Sequence, residues 1–288
     1  MSLGAHVSTA GGMGLAPERA AQIGATAFQV FTQVPSQWRE PVLAAADVAA
    51  FRAGLARYHL EVVVSHASYL INLASPDSRL RARSARAFGA ELARCRTLGI
   101  PWVVSHPGHY LDDPVRGLER NAAEYAACLA AVPDVGILIE GTAGSGTALG
   151  STFAELRVLR DAVPAALRPR VAFCLDTAHL HAAGYDVAGD MAGVLQRFDD
   201  EVGLALLGCL HLNDSAVAAG SRVDRHEWIA EGHIGPGAFR VVMRDDRLRH
   251  TPKIIETPKR DDPVRHDRRM LRRLRAYARA ARGADRAA

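Results

Sequence analysis

Side chains that can bind metal ions stand at the ends of short apolar runs along this sequence. A single histidine in such a place is more often a hydrogen-bonded rim residue than a ligand. However, six of the eight runs end in a histidine or a carboxylate, and random placement would rarely produce this. The six residues are His66, His106, Glu140, Asp176, His211 and Glu256. Three more residues of these types follow nearby, the last two in the segment RVDRHEW: His179, Asp224 and His226.

This candidate cluster combines five histidines with two aspartates and two glutamates. So many imidazoles and carboxylates in one place would repel each other or lack partners unless they shared a cation. Imidazole nitrogen with carboxylate oxygen, and no thiolate, is a donor set that suits zinc or manganese in a catalytic site. The residue types therefore predict a metal-dependent enzyme, provided that the fold brings them together.

The apolar runs predict the strands that would position the cluster. Runs such as EVVVSH and GILIE are nearly continuous, which is typical of parallel strands buried on both faces. In a closed (β/α)8 barrel the carboxyl ends of all strands meet at one rim, where the active sites of this fold lie. The predicted strands cover residues 3–7, 27–32, 61–66, 102–106, 136–140, 171–176, 206–211 and 253–256.

Helical patterns separate these strands. Ser75-Pro76, Asp113-Pro114 and Asp262-Pro263 each combine a capping residue with a proline, as helix N-termini do. Because no linker interrupts the alternation, we predict one (β/α)8 TIM barrel over residues 1–288, with an amphipathic helix and a frayed tail after residue 263. A doubly wound open sheet is the structural alternative, disfavoured because no dinucleotide fingerprint follows the first strand.

The composition is that of a globular protein with a mild excess of positive charge. The 288 residues are 49% hydrophobic and carry a formal net charge of +4, and Lys253 and Lys259 are the only lysines. Arginine suits a phosphate-bearing partner, although codon bias alone would give the same figure. The four cysteines form no C-x-x-C pair, and we see no signal peptide and no membrane span. We expect a cytoplasmic protein with reduced thiols.

The motifs around the cluster resemble those of the endonuclease IV family of abasic-site nucleases. The resemblance runs essentially from end to end, and CLDTAH and DRHEWIAEGHIG match the family's own signature patterns. The segments that carry it are GAHVSTAGG (4–12), FTQVPSQW (31–38), HASYLINLASPD (66–77), HPGHY (106–110), IEGTAGSGTALG (139–150), CLDTAHLHAAGYD (174–186), HLNDS (211–215), RVDRHEWIAEGHIG (222–235) and IIETP (254–258).

The resemblance implies three zinc ions, with manganese as a partial substitute, and hydrolysis of phosphodiester bonds. A hydroxide held between two ions would attack the phosphorus 5′ to an abasic site and leave a 3′-hydroxyl, with Glu140 and Glu256 as the catalytic carboxylates beside it. Blocked 3′ ends would be removed as well. The implied ligands are His66 and His106 for the first ion, Glu140 bridging to the second, Asp176, His211 and Glu256 for the second, and His179, Asp224 and His226 for the third.

Double-stranded DNA with abasic or 3′-blocked sites is the implied partner, bound by a monomer without an obligate protein partner. Tyr69 and Leu70 match residues that insert into DNA at the lesion, where unstacking costs least; without the family match we would expect both to pack against the barrel. Ser36 stands where the second wedge loop of the family often carries arginine. The predicted DNA-binding residues are Tyr69, Leu70, Gln37, Arg222 and Arg225.

Two other functions fit part of the pattern. A sugar isomerase or epimerase of the related barrel group needs one divalent ion, which a Glu-Asp-His-Glu set would hold. A DNA-binding module that has lost catalysis would have no reason to keep nine ligands. The Gly-rich segment GTAGSGTALG lacks the G-K-[ST] ending of a phosphate loop and is expected to turn closely around the metal site. The nuclease is favoured by the ligands that the isomerase does not need: His66, His106, His179, Asp224 and His226.

Overall fold

The structure, a computed structural model, describes residues 1–279 and contains a closed barrel of eight parallel strands. The barrel strands are β1 Leu3–His6, β2 Ala27–Val30, β3 Val62–His66, β4 Trp102–Ser105, β5 Gly136–Glu140, β6 Val171–Asp176, β7 Leu207–His211 and β10 Lys253–Ile255. They follow each other around the barrel in the order β1-β10-β7-β6-β5-β4-β3-β2. This confirms the predicted (β/α)8 barrel, and the open sheet is wrong.

Two short strands outside the barrel were not predicted from the sequence. β8 Asp214–Ser215 pairs in antiparallel fashion with β9 His226–Glu227, so that the segment after β7 folds back over the barrel mouth. With two residues in each strand, this ribbon is too short to show a period of alternating apolar residues. It matters for the site because His226 belongs to it.

Helices surround the barrel, and side chains at their N-termini decide where they begin. The helices are α1 Ala16–Gln22, α2 Ala45–Arg57, α3 Ser78–Leu98, α4 Pro114–Ala131, α5 Phe153–Ala162, α6 Thr177–Ala183, α7 Met191–Glu201, α8 Pro236–Arg244 and α9 Pro263–Arg279. Asp113 caps α4 and accepts a hydrogen bond from Arg116 N at 2.9 Å, as the Asp113-Pro114 signal predicted. The Ser75-Pro76 signal was wrong by two residues, because the cap of α3 is Asp77, which accepts from Arg79 N and Leu80 N.

The C-terminal helix begins where the sequence predicted. α9 starts at Pro263 and buries Met270, Leu271 and Leu274 on one side, as expected for an amphipathic helix. The predicted frayed tail lies outside the described residues. Over residues 1–279, no helix combines the length and the apolar character that crossing a bilayer requires.

A small inner core fills the barrel below its mouth. One residue from each of seven strands contributes to it, and these side chains are aliphatic or carry thiols: Ala27, Val64, Val104, Leu138, Cys174, Cys209 and Ile254. Cys174 and Cys209, far apart in sequence, are direct partners across β6 and β7. All four cysteines are buried free thiols. Side chains two residues further along the same strands point in the same direction, because strands alternate with a period of two.

Candidate metal centre

The predicted ligands at the strand ends occupy the positions two residues beyond the inner core. This spacing places them on the inner side of the barrel at its carboxyl rim. Four of them end β3, β5, β6 and β7, whereas His106 and Glu256 stand one residue beyond β4 and β10. The pairs of core residue and ligand are Val64 and His66, Val104 and His106, Leu138 and Glu140, Cys174 and Asp176, Cys209 and His211, and Ile254 and Glu256.

The fully buried carboxylate of Glu140 joins the two halves of the cluster. Its Oε2 atom lies 3.0 Å from His66 Nε2 and 2.9 Å from His106 Nε2. Its Oε1 atom lies 2.9 Å from His211 Nδ1 and 3.4 Å from His179 Nδ1. Each carboxylate oxygen therefore faces a different group of histidines, which is the arrangement that a carboxylate bridging two ions needs.

The D-T-A-H spacing of Asp176 and His179 follows from the start of α6. Asp176 is the N-cap of this helix, and its Oδ1 accepts from Ala178 N at 2.6 Å and His179 N at 3.2 Å. The cap satisfies N–H groups that have no partner within the helix. Asp176 Oδ2 accepts from Asn213 Nδ2 at 2.7 Å, and Asn213 Oδ1 accepts from Glu256 N at 2.7 Å. One capped helix turn thus fixes a carboxylate and an imidazole side by side.

Asp224 and His226 reach the cluster from the segment that contains β9. Asp224 Oδ2 lies 3.2 Å from His179 Nε2, and Asp224 Oδ1 lies 3.1 Å from His226 Nε2. The Asp224 side chain is 49% exposed, so this part of the site opens to solvent. Asp214 fixes the chain that follows this segment, because its carboxylate accepts hydrogen bonds from Ile234 N at 2.8 Å and Gly235 N at 3.2 Å.

All nine predicted ligands are thus brought to one mouth, in overlapping groups. Within each group the potential ligand atoms lie within 4.8 Å of one another, and Asp224 adjoins the second group through both of its histidines. These groups are His66, His106 and Glu140; Asp176, His179 and His226; and Glu140, Asp176, His211 and Glu256.

The carboxylates and imidazoles of the cluster stabilise each other's charged forms. Burial opposes ionisation of Glu140, yet His211 and His106 hold the pKa of its carboxyl well below the usual range. Burial also opposes a charge on His226, but Asp176 and Asp224 outweigh it and raise the pKa of the imidazole to about 9. Without metal the carboxylates therefore draw protons onto the histidines. Divalent cations would replace those protons, since bound metal requires neutral imidazole.

The side chains fit divalent cations. His226 Nε2 is buried and makes no hydrogen bond, although it lies 3.1 Å from Asp224 Oδ1 and 3.5 Å from Asp176 Oδ2. A buried polar atom without a partner is unfavourable, and here it faces two carboxylates whose oxygens suit the same ion. The donor set of imidazole nitrogen and carboxylate oxygen is that of catalytic zinc sites.

Comparison with known proteins places this site in a family. Residues 17–274 match the family model described as xylose isomerase-like TIM barrel. The chain is 43% identical over 265 residues to "Probable endonuclease 4" of Trichlorobacter lovleyi, covering 90% of this chain and 94% of that protein. The protein of the same name from Geobacter sulfurreducens is 44% identical over 265 residues, covering 90% and 89%. The chain belongs to the endonuclease IV family. Accordingly it is an endonuclease, a hydrolase of phosphodiester bonds.

Solved structures agree with membership of the endonuclease IV family. Endonuclease IV from Thermus thermophilus superposes with a TM-score of 0.86 at 38% identity, covering 97% of this chain and 100% of that one. A D-tagatose 3-epimerase-like protein superposes with a TM-score of 0.73 at 17% identity, covering 98% and 99%. The second likeness shows a shared fold alone, so the isomerase alternative has only distant support.

Two residues of this endonuclease IV site escaped the sequence analysis. His6 ends β1, and Gln29 is the last residue but one of β2. Gln29 Nε2 is 2.5 Å from Glu256 Oε1 and 3.0 Å from His6 Nδ1. Burial lowers the pKa of His6 to about 3, against the raising effect of Glu256. Gln29 stands two residues after the core residue Ala27, so the spacing that relates the other ligands to the inner core would have found it.

The predicted DNA-binding residues line the same rim of this endonuclease IV barrel. Tyr69 is 63% exposed, and Leu70 beside it is half-buried, so neither packs fully against the barrel. Ser68 Oγ donates to Pro35 O at 2.5 Å, which ties the loop of Tyr69 to the loop of residues 31–38. The exposed members of the rim are Ser36, Gln37, Arg222 and Arg225.

A close backbone approach connects the Tyr69 loop with the HPGHY segment of the same rim. Gly108 has a φ of 92°, and a Cβ atom there would lie 2.4 Å from Asn72 Oδ1. Asn72 Oδ1 accepts from His109 N at 3.0 Å, and Asn72 Nδ2 donates to His109 O at 3.0 Å. Only glycine allows this contact without strain, so the chain after His106 is fixed against the loop that carries Tyr69.

Proposed function

We propose that this endonuclease cleaves the DNA backbone 5′ to abasic sites, leaving a 3′-hydroxyl, and removes 3′-blocking groups in base-excision repair. The observation that carries the proposal is the convergence of nine imidazoles and carboxylates in overlapping groups at one barrel mouth. Four of these side chains would also make up the one-ion set of an isomerase. The others extend the cluster to the neighbouring strands β3 and β4, to α6 and to the segment of β9, as a site with several ions requires.

Three zinc ions, with manganese as a partial substitute, would occupy the cluster. His66, His106 and Glu140 would hold one ion; Glu140 with Asp176, His211 and Glu256 a second; and His179, Asp224 and His226 a third. When bound, divalent ions make water a nucleophile at neutral pH and neutralise charge that develops on phosphate oxygens. The absence of a thiolate donor among the nine residues favours hard or borderline cations over soft ones.

The protein's own contribution is to hold carboxylates at fixed places beside the reacting phosphate. Glu140 is fully buried and faces histidines with both oxygens, so it would be available to ions on either side of it. The Glu256 side chain is 18% exposed and faces the open mouth, where its carboxylate can accept a hydrogen bond from attacking water. Histidines hold the pKa of Glu256 at about 2 in spite of burial, so it remains ionised at neutral pH.

Exposed side chains around the mouth would select the substrate. Tyr69 and Leu70 would enter the base stack at the lesion, where a missing base lowers the cost of unstacking. Arg222 and Arg225 would contact phosphates, and Gln37 would approach the DNA from the loop of residues 31–38. Ser36 offers no guanidinium at its place in that loop, and the exposed side chain of Arg39 lies nearby in the sequence. We propose a monomer that works in the cytoplasm.

Incubation with a duplex that carries one abasic analogue tests the function. We expect cleavage 5′ to the lesion that stops with a chelator and returns with zinc, and three zinc ions per chain by elemental analysis. Glu256→Gln and His106→Ala should reduce cleavage by orders of magnitude and keep the fold, as judged by circular dichroism. An intact duplex together with turnover of a ketose would instead establish the isomerase.

A further inference from the structure

The side-chain amide of Gln29 connects three residues of the metal centre. Gln29 is completely buried on β2. Its Nε2 atom donates to Glu256 Oε1 at 2.5 Å and lies 3.0 Å from His6 Nδ1, while its Oε1 atom lies 2.8 Å from His211 Nε2. Both N–H groups and the carbonyl are thus used, which is what a fully buried amide requires.

The carboxylate of Glu256 fixes which way this amide points. An ionised carboxylate only accepts hydrogen bonds, so the atom 2.5 Å from Glu256 Oε1 must be the amide nitrogen. The opposite orientation would place two acceptor oxygens against each other in a buried site. The amide oxygen of Gln29 therefore faces His211 Nε2, and His211 Nε2 must carry the proton that is donated to it.

A proton on Nε2 leaves the lone pair of neutral His211 on Nδ1. This atom faces the carboxylates, at 2.9 Å from Glu140 Oε1 and 3.2 Å from Glu256 Oε2. The tautomer of a histidine ligand is set by the partner of its other ring nitrogen. For His211 that partner is the side chain of Gln29.

The other histidines of the cluster are arranged in the opposite way. In each, Nε2 is the ring nitrogen nearest to a carboxylate oxygen, and in three of them Nδ1 lies against a backbone carbonyl. The distances are 2.7 Å from His66 to Ala67 O, 2.9 Å from His179 to Gly141 O and 3.3 Å from His226 to Glu256 O. A substitution cannot remove a backbone carbonyl, whereas it can remove Gln29. Among these three and His211, it is therefore His211 whose tautomer a single side-chain change can alter.

We propose that Gln29 is a positioning residue that makes His211 an Nδ1 ligand and holds Glu256 next to it before metal binds. The inference rests on the proposed metal-dependent function. Gln29 contributes no metal ligand of its own; it acts through the two ligands that it orients. Both belong to the set of Glu140, Asp176, His211 and Glu256, so the effect of Gln29 should be confined to the ion held there.

Two substitutions separate the contacts of Gln29. Gln29→Met keeps the length of the side chain and removes both contacts. Gln29→Glu keeps an acceptor for His211 Nε2 and loses the donor to Glu256. Val30→Ala, at a fully buried position on the same strand that faces the outer core, is the matched control for loss of packing alone. Thermal unfolding of each variant shows whether it folds, and Gln29→Glu carries the test if Gln29→Met does not.

Metal affinity measured by competition with a chromogenic chelator is the first measurement. We expect Gln29→Met to weaken one ion by about 10–100-fold, as removal of the partner of a metal-bound histidine does in other sites. The remaining ions should keep the wild-type affinity, and Val30→Ala should bind all ions like the wild type. Equal weakening of every ion, or none, in Gln29→Met would overturn the inference.

Long-range ¹⁵N NMR of histidine rings is the second measurement, because it reports which ring nitrogen carries the proton. In the zinc-loaded wild type, one ligand histidine, assigned by its loss in His211→Gln, should be protonated at Nε2. Gln29→Glu should keep this signature and Gln29→Met should lose it; a signature unchanged in Gln29→Met would contradict the proposal. Wild-type protein that binds zinc in this way but leaves abasic DNA intact would remove the proposed function and leave the role of Gln29 standing.

Discussion

A buried ion pair between Glu91 and Arg94 connects helix α3 with the rim of the barrel, and its removal tests how much this pair stabilises the folded protein. Both residues lie on α3 and are 1% and 7% exposed. Glu91 accepts from Arg94 Nη2 at 2.7 Å, from Thr32 Oγ1 at 2.6 Å and from Ser65 Oγ at 2.5 Å. Ser65 precedes the ligand His66, and Thr32 begins the loop that continues to residue 38. The pair therefore connects α3 with two parts of the rim.

The magnitude of the effect follows from burial. Removing one partner of a buried pair leaves the other charge uncompensated and costs about 3–5 kcal/mol of unfolding free energy. We expect this loss for Glu91→Ala, since the Arg94 guanidinium would keep only neutral partners, Gln33 Oε1 at 2.8 Å and Thr32 Oγ1 at 2.8 Å. Glu91→Gln keeps the shape and loses charge-assisted hydrogen bonds, which are worth about 1.5–3 kcal/mol each.

Urea denaturation of Glu91→Ala, Arg94→Met and the double variant gives the coupling energy between the two side chains. We expect the double variant to be less destabilised than the sum of the single variants. Asp161→Ala breaks the exposed pair with Arg157, whose side chains are 51% and 41% exposed, and should cost less than about 1 kcal/mol. Additive effects in the Glu91 cycle, or a Glu91→Ala variant no less stable than Asp161→Ala, would refute the reasoning.

Three further predictions concern the wedge, the cluster and the base of the barrel. Tyr69→Ala should weaken binding to abasic duplex in an electrophoretic assay without changing zinc content; equal affinity would remove the wedge. The pKa of His226 is about 9 in the folded protein and 6.5 in the unfolded chain, so protonated His226 stabilises the metal-free protein fully below pH 6.5. This contribution is lost as the pH rises through 9. Chelator-treated protein should therefore lose stability over that pH range relative to its His226→Ala variant. Burial lowers the pKa of Lys253 from 10.5 to about 8, so between these pH values the unfolded chain binds more protons than the folded protein. The free energy of unfolding should therefore rise from pH 8 to pH 10.5, by at most about 3 kcal/mol. Lys253→Met should not show this rise.

The barrel and the convergence of the candidate ligands at its mouth could be predicted because one spacing governs both. Strand runs such as residues 136–140 alternate between an inner and an outer face, and a polar side chain at the carboxyl end of the inner face reaches the mouth. Glu140 follows Leu138, and His211 follows Cys209, by two residues. The residue types then limited the chemistry to metal binding before any contact was known.

The remaining features depend on contacts between segments distant in sequence. Gln29 is not a typical metal ligand, and its importance lies in its contacts with Glu256 and His211, which are 227 and 182 residues away. Sequence patterns report periodicity within a segment, so they miss such contacts. The start of α3 was misplaced for a local reason, since Ser75 accepts from Asp77 N while Asp77 takes the capping position.

The order of strands around the barrel explains how donor groups of different size can form on one fold. Glu140, Asp176, His211 and Glu256 end or follow four consecutive strands, β5, β6, β7 and β10, and can form one donor group by themselves. The next strands in the same direction, β4 and β3, present histidines at the equivalent positions, so the group extends without a change of backbone. The group of Asp176, His179 and His226 needs α6 and the segment that carries β9, which contribute residues from outside the barrel strands. The candidate cluster therefore exceeds the four-strand donor group by two strand-end histidines, by His179 of α6 and by two residues of one folded-back segment, Asp224 and His226.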